Sequence, residues 1–449
     1  MTRLIRGTPT AGTAATKSRC AAVAIFLTFL GITAAAQTIG STTTVKASGF
    51  QLYVNGKLFA IKGMNYSPVP IGTYPGYIPY GDYFIPYYAN VWKPDIDKIR
   101  AAGVNVIKLY AGNPKLNAGQ AGSAGNWKDF LDYCWNGGNN PVYVVMFSYT
   151  QGEVIAAGGD DFNNYINDYT SLVASTVNHP AVFGYMIGNE IFGGVTHNGQ
   201  FWINFGTLID AAETAGIQQG KKPFLTTAIN DEIDWPPIKF GEQSGRLQNI
   251  DAWCINIYRG PEFGGSGNSA FEQYAQLMKE LGVTKPLIFG EWGTPHTTRP
   301  APGAYGTKCK RPIQNLDDVP ESEMGTGKPY YAAIPVAEFL KKQWKAIKAN
   351  LARKNGQVCV GGFIFDWSDE YWKAGANFYN IQVGGPSADF TGGAFAGGYW
   401  DEAGFGVTSA LDQSFYGQGK PNISRTLFKG YDAVKEFYNA SSHSGGELY

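Results

Sequence analysis

The chain alternates between short runs that are apolar at nearly every position and longer stretches in which apolar residues return every three or four positions. The short runs are "LFAIKGMNY" (58–66), "VNVIKLYAG" (104–112), "VYVVMFS" (142–148), "VFGYMIGNE" (182–190), "PFLTTAI" (223–229), "AWCINIY" (252–258), "PLIFGEWG" (286–293) and "VGGFIFDW" (360–367). They have the length of strands and are rich in β-branched and aromatic residues. The longer stretches include "WKPDIDKIRAAG", "NNYINDYTSLVASTV", "QFWINFGTLIDAAETAG", "AFEQYAQLMKELG" and "AAIPVAEFLKKQWKAIKANLARK". They carry a helical period, and several close on a glycine of the kind that caps a helix. Strands without a polar face must be covered on both sides, so this alternation predicts a parallel sheet under helices. Eight such units predict a closed (β/α)8 TIM barrel. A doubly wound open sheet is the alternative, but no glycine-rich phosphate loop follows the first strand.

The barrel is expected to form one domain over residues 37–449, its core lying between about 45 and 440, with "NISRTLFKGYDAVKEFYNAS" supplying the closing helix. No internal repeat or low-complexity linker interrupts it. Three long connections follow strands one, seven and eight: the tyrosine-rich "YSPVPIGTYPGYIPYGDYFIPYYANVW", residues 295–331, and residues 368–420. In a barrel, such loops lie on the C-terminal face, where sites are built.

Residues 1–36 read as a signal peptide. Arg3, Arg6, Lys17 and Arg19 precede the apolar "AAVAIFLTFLGITAAA", which ends in small residues that suit cleavage near Ala36, so the mature chain is expected to be exported, secreted or periplasmic. The run is shorter than the roughly 20 residues of a spanning helix. Cys20 falls in this segment and leaves Cys134, Cys254, Cys309 and Cys359, which permits one or two disulfides of undetermined pairing. No Cys-x-x-Cys pair occurs and the histidines are scattered, so neither metal nor cofactor is expected. Basic and acidic residues balance at 36 each, and no long run of one sign occurs. Nucleic acid and anionic membrane surfaces are therefore poor candidate partners, and a neutral ligand is favoured.

Two carboxylates change the picture. Glu190 ends strand four and Glu291 ends strand seven, each delivered by an apolar strand to the same mouth. Two carboxyls across one mouth are what glycosidic bond cleavage needs: one protonates the leaving oxygen, and the other attacks the anomeric carbon or activates water. A separation of about 5–5.5 Å predicts retention, and one above about 6.5 Å predicts inversion. Other acidic groups, Asp366, Asp369 and Glu370 after strand eight and Asp231, Glu232 and Asp234 after strand five, read as sugar contacts or helix caps.

Strand four ending in Asn-Glu and strand seven ending in Glu resemble the retaining glycoside hydrolases of clan A, over nearly the whole mature chain. That resemblance implies Glu190 as acid/base, Glu291 as nucleophile and Asn189 as a hydrogen-bond partner of the sugar 2-hydroxyl. Tyr258 matches the tyrosine that contacts the nucleophile, and Trp367 the aromatic beneath the sugar. "FAIKGMNYSP" and "VIKLYAG" are similar to the first strands of fungal β-1,3-glucanosyltransferases, in which the residue matching Tyr110 lines the site and arginine stands where this chain has Lys108. "EWG" and "FDWSDEYWK" look more like bacterial clan members. Asn65, Tyr66, Trp292 and Lys108 complete the expected substrate-binding set.

Sugar rings present flat C–H faces that stack on aromatics, so tyrosine- and tryptophan-rich mouth loops suit a carbohydrate. "DEYWK" (369–373) and "GGYWDEAGFG" (397–406) are expected to face the tyrosine-rich loop across the mouth. A β-linked glucan is the expected partner, β-1,3-glucan first, with β-mannan or cellulose as alternatives. Hydrolysis and transglycosylation share one covalent intermediate and are left open. The reading from a different class is a non-catalytic carbohydrate-binding barrel.

Overall fold

The structure is a computed structural model. It describes residues 42–71, 83–110, 127–232, 237–264, 269–298, 314–315, 334–353, 356–370 and 402–440. The signal segment, Cys309, Asp234, residues 72–82 of the first long loop and the larger parts of the other two lie outside the described residues.

Eight parallel strands close into a barrel. In chain order they are β1 (Ile61–Tyr66), β2 (Val106–Leu109), β3 (Tyr143–Ser148), β4 (Val182–Asn189), β5 (Leu225–Asn230), β6 (Ala252–Asn256), β7 (Leu287–Trp292) and β8 (Cys359–Ile364). Each pairs with its sequence neighbour, and β8 returns to β1 through Gly361↔Ile61 and Ile364↔Met64. Every expected strand is present, with its ends shifted by a few residues.

Both faces of each strand are buried, which is why the strands read as continuous apolar runs rather than alternating ones. On β6, Ala252 and Cys254 join the inner core, while Trp253 and Ile255 join the shell under the helices. The same parity runs through β3, with Tyr143, Val145 and Phe147 inside and Val144 and Met146 outside.

The outer ring contains α1 (Ala89–Ala101), α2 (Lys128–Trp135), α3 (Gly152–Ala157), α4 (Gly159–Thr176), α5 (Gly199–Gln218), α6 (Pro237–Gln243), α7 (Ala270–Leu281), α8 (Val336–Ala349) and α9 (Lys429–Ala440). Their limits follow local chemistry. Asn198 caps α5 by accepting from the Gln200 and Phe201 amides. Gly282, at φ 65°, ends α7 in the left-handed conformation that a C-terminal glycine adopts without a Cβ penalty. The closing helix α9 is shorter than expected, because residues 422–428 continue the extended segment leading to it.

A small antiparallel sheet, Val45–Ser48, Gln51–Val54 and Lys57–Leu58, precedes β1. Leu52, Val54 and Phe59 pack with Ile61, Val360 and Phe183 in the inner core. Its second turn is Asn55-Gly56, with φ of 51° and 75°, the two positive dihedrals of a type I′ hairpin turn.

Candidate active site

The mouth of the barrel is built by strand parity. On β2 the inward positions after Val106 are Lys108 and Tyr110, and on β6 those after Cys254 are Asn256 and Tyr258. Sheet register sets them level: Asn65 is opposite Lys108, Asn256 is opposite both Asn230 and Glu291, and Asn189 is opposite Ala228.

Glu291 is 7% exposed and sits among donors. Tyr110 Oη donates to its Oε1 at 2.5 Å, Tyr258 Oη to its Oε2 at 2.8 Å, and Lys108 Nζ approaches Oε1 at 3.5 Å. This is the surrounding an acceptor-only ionised carboxylate takes. Burial first, then the charge of Glu291, pushes both tyrosine hydroxyls well above their usual pKa, so they remain protonated donors. The Lys108 side chain has no exposed surface, and its ammonium lies 4.4 Å from the Tyr110 ring centroid. A register irregularity between Phe289 and Glu291 turns the carboxylate into the mouth.

Glu190 is reached differently. β4 loses register between Met186 and Asn189, and Gly188 and Glu190 both have positive φ, 80° and 54°. An L-residue in this region costs about 1–2 kcal/mol and persists where its surroundings fix it. Here the Glu190 amide donates to Ala228 O at 2.9 Å, and the side chain is exposed to the mouth. Its Oε1 accepts from Asn256 Nδ2 at 2.7 Å. The same Nδ2 reaches Asn189 Oδ1 at 3.3 Å, and that oxygen also faces Lys108 Nζ at 3.4 Å. One chain of contacts, Glu190–Asn256–Asn189–Lys108–Glu291, thus runs between the two carboxylates.

An aromatic frame holds the tyrosines. Phe365 meets Tyr110 edge to face with centroids 6.1 Å apart, Phe405 meets Phe365 at 5.5 Å, and Tyr258 meets Phe405 at 5.5 Å. Phe405 belongs to a segment that follows the β8 end: Val407 N donates to Asp366 O and Asp366 N to Phe405 O. His296 and Asp369, paired at 3.0 Å and buried, bind the same segment, through His296 N to Gly404 O and Gly406 N to Asp369 Oδ1.

Of the expected residues, Glu190, Glu291, Asn189, Lys108, Tyr110 and Tyr258 come together at this mouth. Asn65 lies inside the barrel on the same level, donating to Gly290 O at 3.1 Å, with no exposed surface. Three placements need correction. Tyr66 turns outward and donates to Asp95 Oδ2 at 3.1 Å, Trp292 stacks on Trp344 at 6.3 Å, and Trp367 packs edge to face on Tyr431. All three have no exposed surface. Tyr66 and Trp292 directly follow the inward residues Asn65 and Glu291, so parity sends them to the helix side. Sequence reading passed over Asn256, Phe365 and Phe405. The i, i+2 spacing from Tyr258 would have found the first.

The competing carboxylates have other partners. Asp231 accepts from Arg259 Nη2 at 2.6 Å and from Tyr274 at 2.9 Å, and Asp366 accepts from the Trp367 amide. Cys134, Cys254 and Cys359 are free buried thiols, so no disulfide joins them. Among the described residues no group of three or more His, Cys, Asp or Glu could hold a metal, and no helix is long and apolar enough to cross a membrane.

A closed parallel eight-stranded barrel ringed by helices, with its polar groups at the C-terminal mouth, is a (β/α)8 TIM barrel. No protein-family model matches the chain, and no curated protein matches it. Solved structures do. A Saccharomyces cerevisiae Gas2p complex with laminaripentaose is similar with a TM-score of 0.54 at 15% identity, over 92% of this chain and 72% of that one. A GH2 β-galacturonidase from Eisenbergiella tayi bound to galacturonate is similar with a TM-score of 0.52 at 15% identity, over 89% of this chain and 54% of that one. A glycerol-bound structure of a GH2 β-galacturonidase from the same organism gives 0.51 at 14%. The chain spans about half the length of the galacturonidases. These likenesses concern the fold.

Proposed function

We propose that the protein is an exported retaining glycoside hydrolase or transglycosylase of clan A type that acts on a β-linked glucan, β-1,3-glucan first. The observation that carries this reading is the pair Glu190 and Glu291, delivered by β4 and β7 to one mouth and joined through Asn256, Asn189 and Lys108. Glu291, oriented by Tyr110 and Tyr258, attacks the anomeric carbon, while Glu190 gives its proton to the leaving oxygen. Glu190 then takes a proton from water or from an acceptor sugar hydroxyl, which attacks the same carbon and frees Glu291. Asn189 donates to the sugar ring, and Tyr258, Tyr110 and Lys108 hold the nucleophile.

One feature favours a neutral glucan over a uronate. Lys108, the cation beside Glu291, is fully buried and already committed to that carboxylate, so it does not serve a substrate carboxylate. The test is incubation of the mature protein with laminari-, manno- and cello-oligosaccharides, with product sizes read by mass spectrometry beside a Glu291→Gln control. Shorter products from the β-1,3-glucan mean hydrolysis and longer ones mean transfer. Cleavage of mannan alone keeps the mechanism and replaces the substrate. No turnover of any oligosaccharide, with binding kept by both forms, sinks the enzymatic reading in favour of a binding barrel.

A further inference from the structure

Asn256 touches both members of the Asn189-Glu190 pair. It is 3% exposed, on β6, with its amide nitrogen 2.7 Å from Glu190 Oε1 and 3.3 Å from Asn189 Oδ1. An amide nitrogen carries two hydrogens and no lone pair for a hydrogen bond, so both contacts run outward from Asn256. Its own Oδ1 faces the other way, close to Gly290: a Cβ built there would lie 2.7 Å from it. Any side chain at position 290 would therefore push the Asn256 amide, and the glycine leaves room for it.

We infer that Asn256 is a positioning residue for the acid/base, fixing which oxygen of Glu190 carries the transferable proton. The inference rests on the glycosidase reading above. With Oε1 occupied as an acceptor, the proton resides on Oε2. In the glycosylation step Oε2–H breaks, the proton passes to the leaving oxygen as its bond to the anomeric carbon breaks, and Glu190 is left ionised with Asn256 donating to it. The same contact sets the neighbouring amide. Asn189 Oδ1 accepts from Asn256 and Lys108, which leaves Asn189 Nδ2 as the end available to a sugar hydroxyl. One asparagine thus orients a proton donor and a hydrogen-bond donor at once.

Among the described residues, the charged and titratable groups at this mouth include Lys108 from β2, Tyr110 just beyond it, Tyr258 beyond β6, Glu291 from β7, and Asp366 and Glu370 after β8. Asp231, after β5, is paired with Arg259. None of these is altered in the test. Removing an N–H donor from a carboxylate raises its pKa. The basic limb of kcat/KM, which reports the protonated acid, therefore moves to higher pH.

The experiment compares wild type with Asn256→Asp and Asn256→Ser on two substrates: a β-1,3-glucan, whose leaving sugar needs protonation, and an aryl laminari-oligoside with a dinitrophenolate leaving group, which does not. The expected result is a loss of at least about tenfold in kcat/KM on the glucan, with the aryl substrate much less affected and the basic limb displaced upward. The displacement is larger for Asp, whose charge adds repulsion. Melting curves identify a variant that fails to fold, and the other then carries the comparison. Equal losses on both substrates with an unmoved limb overturn this role and leave the glycosidase reading standing. A wild type inactive on both substrates overturns that reading and this role together.

Discussion

Two tyrosine hydroxyls and an ammonium group converge on the two oxygens of Glu291. A hydrogen bond to a charged group contributes about 1.5–3 kcal/mol. Tyr258→Phe is therefore expected to lower kcat by about 10- to 100-fold while leaving KM within a few-fold, as steady-state kinetics on a laminari-oligosaccharide would show. An unchanged kcat would mean that Oε2 needs no such partner. At this scale the sequence was readable where a residue type is rare for its place, a Glu closing an apolar strand, twice, while Tyr110 and Tyr258 came from the family resemblance. It was unreadable where neighbours compete. Asn65 and Tyr66, or Glu291 and Trp292, are adjacent letters with opposite directions, and only the pleat decides which of them faces the mouth. Phe365 and Phe405 were missed because their partnership spans about forty residues of chain and leaves no local period.

Among the elements, the eight strands were legible because two buried faces demand apolar residues throughout. The boundaries of α9 and the short helices α2, α3 and α6 were not, since one or two turns offer little periodicity. The hairpin before β1 had a plain signal in Asn55-Gly56 that the sequence reading passed over, its strands being short and mixed. Less visible still is the segment from 402 to 428, which has no regular pattern. It is pinned by Arg425, whose guanidinium donates to Asp95 on α1 at 2.9 and 3.0 Å, to Ser409 O at 2.9 Å and to Tyr416 at 3.2 Å. Asp95 also accepts from Tyr66, and both Arg425 and Asp95 are essentially unexposed. Breaking such a pair by removing one partner costs about 3–5 kcal/mol, because a charge is left buried and unpaired. Arg425→Ala should accordingly lower the denaturation midpoint strongly, and Asp95→Ala with Arg425→Met together should cost less than Arg425→Ala alone. A chemical denaturation series tests this. A negligible effect of the single change would show that the strap is held by something else. Because Phe405 rides on the same segment, loosening it should also lower activity.

Among the described residues the barrel carries three buried free thiols and no disulfide. Burial pushes the Cys254 and Cys359 thiols up to about 12, and Cys134 higher still. A folded pKa raised above the unfolded value means that stability is intact below about pH 8.5 and declines as pH rises toward about 12, where only the unfolded chain ionises at first. Iodoacetamide at pH 8 should leave these three cysteines unlabelled in the native protein and label all of them in denaturant, read by peptide mass spectrometry. Native labelling of Cys254 would contradict the packed barrel interior. The fold likeness to Gas2p and to the galacturonidases fits this single-barrel picture and leaves the choice of sugar to experiment.

The most direct test of the central claim is to trap the intermediate. The mature protein is incubated with a 2-deoxy-2-fluoro β-laminari-oligoside bearing an activated leaving group, then digested and the modified peptide sequenced by mass spectrometry. The account predicts one added glycosyl group, on Glu291, with loss of activity. A glycosyl group on another residue, or no adduct while an ordinary substrate is cleaved to products of inverted configuration, would contradict it.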